Sequence, residues 1–124
     1  MLAERIHLES VAMARRAIEA LGSSNAEIMA TRAIHINVML RGVPGDVARI
    51  IKGLYNDVGA EAAISNSAYR GEEGVTTDMI VMGTVYHHRE VKRVVGTLQP
   101  SAEWLAAIEA VLNVAPETSG FFAG

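Results

Sequence analysis

The sequence predicts an α+β fold built on one antiparallel sheet, and three periodicities predict it. In residues 34–41, Ile34, Ile36, Val38 and Leu40 alternate with His35, Asn37, Met39 and Arg41. A period of two makes a strand with one buried face. In residues 46–58, Val47, Ile50, Ile51, Leu54 and Val58 fall at i, i+3, i+4, i+7 and i+11, the apolar stripe of a helix. Residues 88–99 repeat that stripe with Val91, Val94, Val95 and Leu98.

The remaining elements follow in chain order. Val11, Ala14, Ile18 and Leu21 predict a helix over 8–21, stopped by Gly22. Ser24-Asn25-Ala26-Glu27 has capping-box spacing. Residues 26–33 fit either a short helix or a strand leading into the next one, and the spacing favours the helix. Gly42-Val43-Pro44-Gly45-Asp46 is expected to break the first strand, with Asp46 beside the amides of the following helix. That helix ends near Gly59. A weaker strand is predicted over 61–69, where Ala62, Ala63, Ser65 and Ser67 are small. Arg70-Gly71-Glu72-Glu73-Gly74 reads as a solvated turn joining it in a hairpin to a strand over 77–86. After Pro100, Ser101 is expected to cap a last helix over 102–113 carrying Trp104, Leu105, Ile108 and Leu112. Val111–Val114 could instead supply a short strand. The segment 115–124 reads as a loose tail, unless Phe121-Phe122 docks on a partner.

Residues 34–99 therefore read as a β-α-β-β-α unit, a ferredoxin-like sandwich. An N-terminal helical extension occupies 1–33, and a C-terminal helix with its tail occupies 100–124. Two helices on this strand order cover one sheet face. The other face is expected to carry Asn37, Met39, Met82 and Tyr86. A half-apolar face of that kind is closed by a second copy, so the expected state is a homo-oligomer.

Bulk properties narrow the function. The chain has 124 residues, enough for one core, and half of them are apolar. A formal net charge of −3 gives no footprint for nucleic acid. There is no cysteine, which excludes disulfides, thiolate metal sites and thiol nucleophiles. No apolar run approaches the ~20 residues of a membrane span. The start Met1-Leu2-Ala3-Glu4-Arg5 lacks a basic, then apolar, leader. The expected location is the cytoplasm.

The stretch Ile36-Asn37-Val38-Met39-Leu40-Arg41-Gly42-Val43-Pro44-Gly45-Asp46-Val47-Ala48-Arg49-Ile50 resembles the opening of an ACT domain, and the likeness continues through Val58-Gly59 to cover 34–99. The resemblance implies a regulatory module that binds a small, amino-acid-like ligand between copies, with a partner enzyme to regulate. The ligand positions it implies are Gly42, Pro44, Gly45, Asp46, Val47, Ala60 and Glu61. Val38–Gly42 and Tyr86-His87-His88-Arg89-Glu90-Val91 are also similar to segments of bacterial microcompartment shell proteins, which implies a structural, tiling subunit instead.

Other chemistry is sparse. His35, His87 and His88, with Glu90 nearby, are the only metal candidates, although adjacent histidines point different ways. His87 and His88 are expected to be solvated near a helix N-terminus, where a pH-sensitive contact between copies is the next reading. The turn at 42–46 could offer backbone amides to an anion, while Asp46 suits an ammonium group. No P-loop, Ser-His-Asp set or paired-carboxylate motif is present. No catalytic residue and no cofactor is expected.

Overall fold

The structure, a computed structural model, describes residues 1–95 and 101–114. Ten residues without regular structure lead into α1 (Val11–Ala20), followed by α2 (Ala26–Ala33), β1 (His35–Pro44), α3 (Gly45–Asp57), β2 (Glu61–Ala63), α4 (Asn66–Tyr69), β3 (Thr76–Thr84), α5 (Val85–Val95) and α6 (Ser101–Val111). The sheet has the order β1-β3-β2, and both outer strands run antiparallel to β3. The fold is thus a mixed α+β one. No helix among the described residues is long and apolar enough to cross a membrane.

One core holds all of this together. It joins Val38, Leu40 and Val43 of β1, Met79 and Val81 of β3, Val47, Ile51 and Tyr55 of α3, and Val85, Val91 and Val95 of α5. Ala14 of α1, Ala30 of α2, and Leu105 and Ile108 of α6 belong to the same cluster. Burying each large side chain stabilises the fold by about 1.5–3 kcal/mol. The flanking helices are therefore parts of the core.

Local chemistry explains where the structure departs from the sequence reading. The residues Gly42–Pro44 continue β1 rather than break it. A bulge lies between Leu40 and Val43, with Gly42 at φ +66° and its amide donating to Asp78 Oδ1 at 2.9 Å. The extra residue returns Val43 to the covered face, where it is fully buried. The strand expected over 61–69 is only Glu61–Ala63. Ser65 Oγ accepts the Ala68 amide at 3.2 Å and starts α4, so β2 and β3 are joined by that helical turn and not by a tight hairpin. The turn Arg70–Gly74 is exposed, as expected.

The other differences lie at helix ends. α2 is a helix, but it starts after Asn25 at φ 62° with no side-chain cap, so the capping-box spacing at Ser24 is not used. α5 begins at Val85 rather than residue 88, because the Val85 amide donates to Ile34 O at 2.9 Å and Thr84 caps the helix. Tyr86 consequently leaves the open sheet face and lies under Arg32, 4.2 Å from the guanidinium. Ser101 is the first residue of α6 and is buried. Val111 ends α6 and no strand forms at 111–114. Trp104 packs half-buried against the core, as expected of an anchor. The end of the predicted helix at 96–99 and the Phe121-Phe122 tail lie outside the described residues.

Candidate functional site

Strand parity sorts the sheet into two faces. The register pairs Val38 with Val81 and Leu40 with Met79 on the face under α3 and α5. The opposite face carries three columns. β1 contributes His35, Asn37, Met39 and Arg41; β3 contributes Thr84, Met82, Ile80 and Asp78; β2 contributes Glu61 and Ala63. In the register, Asn37 and Glu61 both pair with Met82, and Met39 and Ala63 both pair with Ile80. None of these residues belongs to the core cluster. Met39, Ile80 and Met82 are half-buried, and Ala63, Asn37 and Glu61 are exposed. The face is apolar at its centre and polar at its ends.

Its polar margin is largely satisfied from within. At one end Arg41 Nη1 lies 3.2 Å from Asp78 Oδ2. At the β2 edge Lys52 Nζ reaches Glu61 Oε1 at 2.8 Å, and Oε1 also accepts the Ala62 amide. The lysine hydrogen bond, reinforced by the Ala62 amide, holds the Glu61 carboxyl below the usual carboxylate range. At the other end His35 Nε2 donates to Asn37 Oδ1 at 2.9 Å. The Asn37 amide nitrogen and Glu61 Oε2 have no hydrogen-bond partner among the described residues.

The ligand positions implied by the resemblance divide into two groups. Gly42–Val47 form the bulge and the start of α3. Gly45 and Val47 are buried, while Gly42, Pro44 and Asp46 are exposed. Three of the amides there are occupied: Gly42 by Asp78, Gly45 by Val75 O at 2.9 Å, and Val47 by Asp46 Oδ1 at 2.9 Å. Asp46 Oδ2 has no hydrogen-bond partner among the described residues. Ala60 and Glu61 lie elsewhere, because Pro44 pairs with Thr76 and Glu61 with Met82. Along β3 the groups stand four positions apart at Gly42, beside Asp78, and six at Pro44, roughly 13–20 Å at ~3.3 Å per residue. Within one chain the structure does not bring them together.

The histidines hold the start of α5. His88 is not solvated; it is 2 % exposed. Its Nε2 lies 2.8 Å from Ile36 O, an acceptor, so Nε2 carries the proton. Its Nδ1 then accepts from the Tyr55 hydroxyl at 2.7 Å. Burial pushes His88 below the ordinary imidazole range, and burial pushes the Tyr55 phenol up. His87 and Thr84 form a reciprocal cap. The His87 amide donates to Thr84 Oγ1 at 3.2 Å, and the Thr84 amide donates to His87 Nδ1 at 3.1 Å. Both histidines are thus engaged in the fold, and no group of three or more His, Asp or Glu among the described residues could hold a metal ion.

The Tyr55–His88 pair is the feature that motif reading passes over. A signal exists: Tyr55 follows Ile51 by four and His88 precedes Val91 by three, so both stand on apolar stripes. Comparison with protein families, curated proteins and solved structures gives no match.

Proposed function

We propose that the chain is a self-associating regulatory module with an ACT-like, ferredoxin-like core, and that it takes a small amino-acid-like ligand. The observation that carries this reading is the open sheet face, apolar at Met39, Ile80 and Met82 and bounded by polar groups. A monomer leaves that apolar surface in water at ~25 cal/mol per Å², which a second copy removes. The strand order β1-β3-β2, with α3 and α5 over one face, supports the ferredoxin-like frame. Asp46 Oδ2, without a partner among the described residues at the first turn of α3, supports an ammonium contact. The occupied amides around it leave few donors for a ligand carboxylate within the same chain.

Thermal-shift and calorimetric titration across the amino acids tests the ligand. The expected outcome is stabilisation by one chemical subset, lost in Asp46→Ala. No stabilisation by any amino acid, with Asp46→Ala indistinguishable from the parent, would remove the ligand part of the reading.

A further inference from the structure

The open face is self-complementary in one orientation. Face-to-face sheets related by a two-fold axis in the interface have two simple arrangements. An axis parallel to β3 lays β3 on β3 and β1 over the partner's β2, row on row. Asn37 then meets Glu61 of the partner subunit, and Met39 meets Ala63 of the partner subunit. Met82 and Ile80 meet their own counterparts across the axis. An axis perpendicular to β3 reverses the rows. Glu61 then lies over Ala63 of the partner subunit, and Asn37 over Met39 of the partner subunit.

The first arrangement fits the chemistry and the second does not. The Asn37 amide nitrogen is a donor without a partner among the described residues, because His35 occupies only Oδ1. Glu61 Oε2 is an acceptor in the same position, because Lys52 and the Ala62 amide occupy only Oε1. Row on row, donor meets acceptor, and a long methionine fills the space left by an alanine. With the rows reversed, a carboxylate and an amide are buried against apolar groups, which costs free energy. Arg41 neutralises Asp78 at the far end in either case.

We infer that the occupant of this face is a second copy of the chain, packed with β3 against β3 about a two-fold axis parallel to that strand, with Asn37 and Glu61 pairing across the interface. The inference rests on the self-association proposed above. The face measures roughly 14 Å by 30 Å, about 400 Å² per copy against the ~800 Å² of a standard interface. The pair is therefore reversible, forming as concentration rises.

Cysteine cross-linking tests the axis, since the chain has no cysteine of its own. Met82→Cys, Ile80→Cys and Ala63→Cys would be oxidised alone and in mixtures, with light scattering on each reduced protein. The expected result is a concentration-dependent dimer in which Met82→Cys links to itself, Ala63→Cys does not, and Asn37→Asp weakens association at least ten-fold. Dimers in which Met82→Cys links only to Ile80→Cys would overturn the axis while leaving self-association standing. Dimers that no cysteine in the face cross-links would overturn the face as the interface. Monomers at every concentration would overturn both the inference and the oligomer on which it rests.

Discussion

At the residue scale, the decisive chemistry is a proton that His88 does not take. Its ring is sealed between a carbonyl that only accepts and a tyrosine hydroxyl that donates. A proton on Nδ1 would turn the hydroxyl round and leave the Tyr55 proton unpartnered in a fully buried site. Burial is the largest cause of the lowering; the backbone of Ile36 and Gly83 works against it, and the neighbouring imidazoles of His35 and His87 add to it. The unfolded chain binds a proton at this histidine below about pH 6.5, and the folded chain resists it. The resulting stability is complete above that pH and is lost as pH falls toward the depressed folded value. Urea unfolding between about pH 8 and pH 5 is expected to show falling stability, with a smaller fall in His88→Gln. Equal slopes in the two proteins would contradict this. Tyr55→Phe strands Nδ1 as a buried acceptor and is expected to cost about 1–3 kcal/mol in the same measurement at neutral pH.

At the element scale, α5 is placed by its first turn. Thr84 and His87 satisfy each other's amides, and Gly83 lets His87 close on the sheet. A Cβ on Gly83 would stand 3.0 Å from His87 Cβ and 3.2 Å from Ala60 Cβ, both too near the backbone to yield easily. Gly83→Ala is expected to lower stability by about 1–3 kcal/mol, and Thr84→Ala by about 1 kcal/mol, read by chemical unfolding. Elements with strong periodicity were legible in the sequence: the predicted helix over 46–58 is Gly45–Asp57, and the strand over 77–86 is Thr76–Thr84. The segment 61–69 was not, because Ala and Ser carry little periodic signal and Ser65 turns the chain through a side-chain hydrogen bond. Likewise no apolar pattern marks a bulge, which depends on Gly42 and on Asp78, thirty-six residues away.

At the scale of the whole molecule, alternation at 34–41 announced an open face, and the register completes it with Ile80, Met82 and Ala63. The sequence could not place Tyr86, whose position depends on where α5 starts. Nor could it show that residues 42–47 and 60–61 stand at opposite ends of the sheet. His87 and His88 anchor α5 and His35 holds Asn37, and the sheet face beside them carries the functional reading. Its central claim is that copies meet there. Sedimentation velocity over a wide concentration range tests this most directly. The expected mass rises from the 13.3 kDa of one chain toward twice that value, and Met82→Lys stays monomeric with an unchanged circular dichroism spectrum. A parent protein that remains at the single-chain mass throughout, or a Met82→Lys protein that associates equally well, would contradict it.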